Sequence, residues 1–431
     1  MKSLGLKKVS ENLTNDFPAI EYREYILKNG LKVVLCNTGN IPIAAVNTTY
    51  HTGSRDEIVG KTGLAHLIEH LMFEGSPNIP RGKFDEILAK NGGESNAYTT
   101  RDFTSYFISV PSSHLETAFW LDSDRLSGFG ITNESLEIQK DVIIEEKLMY
   151  NDNSPYGSLD EEISKRLYDG TNYSWPVIGK MDDIRNMNLK DVEDFYNKHY
   201  TPSNTVISVT GDIEYERTIE LIEKYYGEIF CSLNETKTEI YPKKITKETS
   251  AYIKDDIHLE GKFIFYQIPP AGTKEFYSFK ILSGILSSGE SSRFFQELEY
   301  KNNLVHEADS SAFSYEKSGV FMISAIALKG KDMQIIENKI NGIIEDIISG
   351  NINDREFNKI INRLETRFSS RLQSIVGLSD RFSYLKTIHN DCSKINFEIN
   401  DYLVLTKKDI SDAAGKYLNQ NQRIVLNYIP K

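Results

Sequence analysis

The chain has 431 residues, of which 39% are hydrophobic and 26% charged, which is typical of a globular protein with more than one domain. Its formal net charge of -12, without a cluster of Lys and Arg, argues against nucleic acid and anionic membrane surfaces as partners. No stretch of about 18 apolar residues occurs, so the sequence predicts no membrane span.

The N-terminus shows no apolar run of signal-peptide length. As written, the sequence therefore predicts a cytoplasmic protein, or a periplasmic one if a leader has been removed. The three cysteines, Cys36, Cys231 and Cys392, are odd in number and far apart. None belongs to a CxxC pair or a Cys/His cluster, so we expect reduced thiols rather than disulfides or metal ligands.

Strand and helix patterns alternate along the first third of the chain. Turn signals precede the first two strands, and apolar residues recur at helical spacing around position 67. The predicted elements are strands over 31–36 and 44–50, helices over 60–73 and 84–90, strand material over 97–110, and a long helical region over 113–149 that is broken near 128–133.

A helix followed by a strand occurs twice at an offset of 218 residues. Residues 188–192 open the first helix and 204–209 form its strand, whereas residues 406–410 open the second helix and 422–427 form its strand. Helix–strand units are common, so one such pair is modest support for an internal repeat.

We therefore predict an α+β fold with two homologous α/β domains, each a mainly antiparallel sheet packed with helices. The polar stretch over residues 233–249 lacks a hydrophobic period, as a linker does. It separates a predicted N-terminal domain, residues 1–232, which contains the motif described next, from a predicted homologous C-terminal domain, residues 250–431.

The stretch His66-Leu67-Ile68-Glu69-His70 contains the candidate metal ligands and a candidate general base. His66 and His70 are four residues apart, so on a helix their imidazoles share one face and can bind one metal ion. Glu69 lies on nearly the same face, where a carboxylate can accept a proton from an activated water without binding the metal. The alternative is that two histidines at this spacing are ordinary surface or core residues.

A catalytic zinc site needs a third protein ligand and keeps a fourth position open. The acidic pair Glu145 and Glu146, in a second helical stretch, provides the candidates. Spacing alone does not choose between them.

With these residues in place, the sequence resembles the pitrilysin/insulysin family of zinc metallopeptidases, and its half-length bacterial members in particular. The family stretch G-L-A-H-x-x-E-H-x-x-F-x-G-(S/T) is matched throughout residues 63–76. The family's third ligand lies about 76 residues after the second histidine, as Glu146 does here. The resemblance implies one Zn²⁺ per chain, bound by His66, His70 and Glu146, with Glu69 as the general base.

The resemblance also implies where the substrate binds. Residues 92–99 resemble the family's edge strand, which pairs with the peptide backbone, so Asn96 and Ala97 are expected to bind substrate, together with Phe73. Many members have a Glu seven residues before the third ligand, where this chain has Gln139. Gln139 is expected to contact a ligand from outside the metal site, but an amide adds no negative charge.

Gln139 is one departure from the family's pattern, and a second concerns substrate binding. The family encloses its substrate in a chamber with two halves, and an Arg and a Tyr, seven residues apart, bind substrate from the half opposite the zinc site. The matching positions here are Glu299 and His306. A Glu in place of Arg reverses the charge, so we expect a heterodimer in which a homologous subunit without zinc provides the Arg/Tyr pair, although a homodimer is possible.

The resulting hypothesis is a zinc-dependent endopeptidase that cleaves peptides or unfolded segments inside a two-chain chamber. Two alternatives remain open from the sequence. One is a processing peptidase that trims leader sequences from precursors, and the other is a non-catalytic scaffold subunit with the same fold.

Overall fold

The computed structural model describes residues 2–4, 19–39, 41–230 and 240–431. Cys231 and residues 233–239 of the predicted linker lie outside this part of the chain, and residues 240–248 form neither helix nor strand. In the described part, no helix is both long enough and apolar enough to cross a membrane.

The described residues form two sheets and a larger set of helices. The strands are β1 (Lys2–Leu4), β2 (Arg23–Ile26), β3 (Lys32–Asn37), β4 (Ile43–Tyr50), β5 (Glu94–Thr99), β6 (Thr104–Pro111), β7 (Thr205–Gly211), β8 (Thr249–Asp255), β9 (Gly261–Ile268), β10 (Val305–Ser314), β11 (Gly319–Ala327) and β12 (Ile424–Pro430). The helices are α1 (Leu64–Leu71), α2 (Lys83–Lys90), α3 (Leu115–Ser127), α4 (Asn133–Lys147), α5 (Leu159–Leu167), α6 (Met181–Asn186), α7 (Leu189–His199), α8 (Tyr215–Tyr226), α9 (Lys274–Ser287), α10 (Met333–Ile348), α11 (Asp354–Gln373), α12 (Ile375–Tyr384), α13 (Lys394–Leu403) and α14 (Lys407–Tyr417).

The α+β class is confirmed. The first sheet has the order β1-β2-β3-β7-β4-β6-β5 and the second has the order β10-β11-β9-β12-β8. Each contains one parallel pair, β3 with β7 and β12 with β8, and is otherwise antiparallel. The predicted strand material over 97–110 is a hairpin, β5 and β6, because residues 100–103 turn the chain back.

The internal repeat is visible in the topology. The strands β3 to β7 pair in the same pattern as β8 to β12, so β7 and β12 occupy equivalent positions and β5 and β10 are equivalent edges. The two predicted helix starts also agree, because Asn188 with Asp191 and Thr406 with Asp409 form capping boxes at α7 and α14.

The two compact units are not the contiguous segments expected from the linker. The first comprises the described residues of Met1–Lys147, Trp175–Glu239 and Phe368–Phe397, and the second those of Leu148–Ser174, Ile240–Arg367 and Glu398–Lys431.

Helix α12 shows why a late segment belongs to the first unit. The Ser379 hydroxyl donates to the Ser208 carbonyl at 2.9 Å, and the Thr210 hydroxyl donates to the Ile375 carbonyl at 2.7 Å. The central strands β4 and β7 are therefore buried almost throughout. Cys36 and Cys392 are free, buried thiols in the apolar cluster on this side of the sheet.

A buried carboxylate fixes the start of α1. Glu57 Oε2 accepts from the Gly63 amide at 3.0 Å and from the Trp175 indole at 2.8 Å, and Glu57 Oε1 accepts from the Ala65 amide at 2.8 Å. Gly63 has φ +88°, and a Cβ there would lie 2.6 Å from the Ile178 carbonyl oxygen. The helix that carries both histidines therefore begins at a position set by side-chain and backbone contacts on several sides.

Burial raises the pKa of Glu57 to about 8, against the lowering effect of its three hydrogen-bond donors. Because the folded pKa lies above the unfolded one, the stabilising contribution of Glu57 is complete below about pH 4.3 and is lost as the pH rises towards 8.

We therefore expect the stability of the metal-free wild type, relative to Glu57→Gln, to fall between pH 5 and pH 8. The limiting slope for one proton is about 1.4 kcal/mol per pH unit. Denaturant unfolding in the presence of a chelator measures the free energy of unfolding at each pH. Glu145→Gln, at an exposed position, is the control variant. If the free energy of unfolding differed between wild type and Glu57→Gln by the same amount at every pH, the raised pKa of Glu57 would be contradicted.

Candidate metal centre and active site

His66, His70 and Glu146 meet at one point of the first unit. Their ligand atoms all lie within 4.8 Å of one another. The Glu146 Oε2 atom is 3.5 Å from His70 Nε2 and 3.9 Å from His66 Nε2. The exposed neighbour Glu145 is not part of this cluster.

Two helices bring the three side chains together. The α1 helix places His66 and His70 one turn apart, with ring centroids separated by 4.8 Å. Glu146 lies in the last turn of α4, whose residues Leu136 and Ile143 are buried in the apolar core that includes the inner face of α1. Packing of the two apolar faces therefore positions the polar faces next to each other.

The electrostatics of the cluster suit a metal. Burial and the neighbouring His70 lower the pKa of His66 to about 4, so this imidazole is neutral at pH 7. Burial alone would lower the pKa of His70, but the hydrogen bond to Glu146, together with contacts to Glu69 and Gln139, raises it. The same hydrogen bond lowers the pKa of Glu146, which favours its anionic form.

The donor set fits zinc. Two imidazole nitrogens and one carboxylate oxygen are the ligand types of catalytic zinc sites with three protein ligands. The three atoms are close enough for one ion to bind all of them after small side-chain movements. His66, His70 and Glu146 are therefore the residues that would hold it.

Glu69 lies beside this cluster but is not one of its ligands. Its side chain is buried, and its Oε2 accepts a hydrogen bond of 2.5 Å from the Thr99 hydroxyl. Burial raises the pKa of Glu69 from its usual value, with the Thr99 hydrogen bond acting in the opposite direction. A carboxylate with a raised pKa is a better proton acceptor, as a general base must be.

The predicted substrate residues lie in two environments. Asn96 and Ala97 are in β5, which is an edge strand and pairs only with β6 among the described strands. The Ala97 amide is contacted by the side chain of Asn96 at 2.8 Å. Phe73 is partly buried and packs edge-on against Phe84, with a centroid distance of 5.6 Å, so its visible contacts are those of a core residue.

The structure adds residues that the sequence did not single out. Thr99 connects Glu69 to the edge strand, and Tyr98 on the same strand donates a hydrogen bond of 2.6 Å to Asp380 of α12. Glu57 holds α1, as described above. Asp380 is more than 280 positions away from Tyr98, so no local pattern could have indicated that contact.

Gln139 contacts His70. Its Oε1 lies 3.1 Å from His70 Nδ1, on the side of the ring away from Glu146. Its Nε2 donates to Glu74 Oε1 at 2.8 Å. The acid Glu74 is thus a further residue of the site that the sequence did not indicate.

Comparisons with known proteins place the chain among peptidases. Residues 32–180 match the family model described as Insulinase (Peptidase family M16), and residues 186–364 match that described as Peptidase M16 inactive domain. The chain is 30% identical to the zinc protease PqqE of Helicobacter pylori over 93% of this chain and 91% of that protein. It is 27% identical to the uncharacterized zinc protease YmxG of Bacillus subtilis, over 70% and 72% of the two chains.

Solved structures show the same fold. The crystal structure of a protease from Helicobacter pylori superposes with a TM-score of 0.91 at 28% identity, covering 96% of this chain and all of that one. The periplasmic protease PqqL from Escherichia coli gives 0.79 at 17% identity, and the match covers 95% of this chain but 47% of PqqL. Since two family models and a relative of nearly full coverage match, this chain belongs to the insulinase family of peptidases, family M16.

Proposed function

We propose that this chain is a zinc-dependent endopeptidase subunit that binds one Zn²⁺ through His66, His70 and Glu146. The observation that carries the proposal is the convergence of these three ligand atoms within 4.8 Å, with the buried Glu69 beside them. A non-catalytic scaffold subunit would not need this ligand set, nor a general base next to it.

The chemistry follows from the residues of the chain. A zinc ion bound there would polarise the scissile carbonyl and make a water molecule more acidic. Glu69 takes the proton from the attacking water and returns it to the leaving amine. Thr99 holds the carboxylate in place, and the free edge of β5 at Asn96 and Ala97 offers backbone groups to an extended peptide.

The proposal includes a second, homologous chain. Glu299 is half-buried in the helical segment Phe295–Tyr300, and His306 is exposed at a bulge in β10. Neither side chain offers the guanidinium or phenol that family resemblance places at these positions, and a carboxylate cannot donate a hydrogen bond to a carbonyl. The chain also spans about half the length of PqqL, a protein of the same fold.

The metal ligands are tested by a matched pair of variants. Glu146→Gln replaces a charged ligand with a neutral amide, so we expect zinc content to fall from about one ion per chain to a small fraction after dialysis against a weak chelator. Glu145→Gln, one residue away and exposed, should retain the metal. Elemental analysis measures both, and equal zinc in the Glu146→Gln and wild-type proteins would exclude Glu146 as a ligand.

The general base is tested separately from the ligands. Glu69→Gln should keep its zinc but reduce kcat by roughly two to four orders of magnitude, because proton transfer is lost. Thr99→Val keeps the carboxylate and removes only its hydrogen bond, so its loss should be much smaller. Peptide cleavage and metal content are measured on the same preparations. If Glu69→Gln lost its zinc, the residue would be a ligand or a structural residue instead.

The partner is tested with the purified, zinc-loaded chain on a mixed peptide library. We expect slow cleavage by the wild type alone and faster cleavage by the double variant Glu299→Arg, His306→Tyr. Glu290→Arg makes the same charge change at an exposed position of the same unit and should have no such effect. Rapid cleavage by the wild type alone, unchanged in Glu299→Ala, His306→Ala, would remove the need for a partner.

A further inference from the structure

The outer side of His70 is connected to a chain of polar groups that ends at the protein surface. His70 Nδ1 is 3.1 Å from Gln139 Oε1, Gln139 Nε2 is 2.8 Å from Glu74 Oε1, and Glu74 Oε2 is 2.5 Å from Arg81 Nε. The Glu74 side chain is 11% exposed, whereas that of Arg81 is 50% exposed. The other ligand imidazole has no such support, because His66 Nδ1 is buried without a hydrogen-bond partner among the described residues.

Glu74 decides which end of the Gln139 amide faces the histidine. An amide can present either its oxygen or its NH₂ group to an imidazole, and these two choices select opposite tautomers. An ionised carboxylate only accepts hydrogen bonds, so the NH₂ group of Gln139 must face Glu74 and its oxygen must face His70. The His70 Nδ1 atom is then the donor, which leaves Nε2, the atom nearest Glu146, as the nitrogen that would bind a metal.

Arg81 forms an ion pair with Glu74 at the outer end of this chain of groups. The ion pair is to Glu74 Oε2, which is buried without a hydrogen-bond partner among the described residues, whereas Glu74 Oε1 accepts from the Gln139 amide. Groups outside a metal site that hydrogen-bond to a ligating histidine set its orientation and increase its basicity. A carboxylate one residue further out can do so through an intervening amide, because hydrogen bonds in a chain polarise one another.

We propose that Glu74 is a positioning residue for the metal, which orients His70 through Gln139 and provides the negative charge that Gln139 itself lacks. The inference rests on the proposed function, since it requires zinc at His66, His70 and Glu146. It also accounts for a Gln at a position where many family members have a Glu. In this chain the carboxylate belongs to Glu74, which contacts Gln139 instead of contacting the histidine directly.

The chain of contacts from Glu74 through Gln139 to His70 is called the relay below. Zinc affinity, measured by competition with a chromophoric chelator, tests it. Glu74→Gln should weaken zinc binding by about 10- to 100-fold, because the Gln139 amide is then free to turn over. Glu74→Gln combined with Gln139→Glu places a carboxylate directly on His70 and should restore affinity to within a few-fold of wild type. Glu145→Gln removes one negative charge near the ligands but outside the relay, and should change affinity less than threefold.

The histidine tautomer provides a readout that a merely structural role would not move. In metal-free protein with ¹⁵N-labelled histidine and the background substitution Glu146→Ala, the carboxylate that competes for a proton on Nε2 is removed. We then expect neutral His70 to carry its proton on Nδ1, both with Glu74 and Gln139 unchanged and in the rescued double variant. Glu74→Gln should show a mixture of His70 rings protonated on Nδ1 and rings protonated on Nε2. The His70 signal is assigned from its disappearance in His70→Ala.

A double-mutant cycle separates the effect transmitted through Gln139 from a general effect of losing the Glu74 charge, and Gln139→Leu alone tests the chain of contacts if Glu74→Gln folds poorly. Gln139→Leu removes the relay at its centre, so Glu74→Gln should have little further effect on zinc affinity in that background. Additive losses would overturn the relay, as would wild-type affinity in Glu74→Gln alone.

The two levels of the proposal fail differently. Zinc binding by the wild type that survives the His66→Ala, His70→Ala double substitution would overturn the proposed function. Binding that depends on those histidines but is unaffected by Glu74→Gln would overturn only the relay.

Discussion

The first turn of α1 is held by the buried carboxyl group of Glu57. Glu57 accepts hydrogen bonds from two backbone amides of that turn and from the indole of Trp175. An unpaired carboxylate at such depth would be strongly unfavourable, so donors must be provided wherever it lies. The same contacts fix the rotation of α1 about its axis and its position along that axis. The positions of both histidines and of Glu69 follow from them. Displacement of this turn would move three functional side chains together.

The charges around the site are arranged in layers. Glu146 faces both imidazoles, Glu69 lies to one side under the Thr99 hydroxyl, and Glu74 lies behind Gln139. Negatively charged carboxylates that lie near one another repel, and without a cation the arrangement would be costly. A divalent ion among the ligands compensates for this repulsion. The acidic surroundings of the histidines are therefore consistent with a site built for a cation.

The internal repeat shows that the fold and the chemistry are separable. Both sheets have the same order of five strands, and α9 follows β9 as α1 follows β4. Helix α9 contains no histidine, so it provides neither imidazole of a comparable site. The match of residues 186–364 to a domain described as inactive agrees with this difference. The edge strand β5 gains its particular position from Thr99, which contacts Glu69, and from Tyr98, which contacts α12 on the other face.

The sequence by itself determined the local features of this protein. Helical spacing placed His66, Glu69 and His70 on one face, and a helix start followed by a strand recurred at residues 188 and 406, because both patterns depend on neighbours within a few positions. The tertiary structure decided the rest. Sequence spacing could not choose between Glu145 and Glu146, since that depends on which face of α4 packs against α1. Nor could it assign α12 to the first sheet, or connect Gln139 to Glu74, because hydrogen bonds between residues far apart in sequence leave no local periodicity.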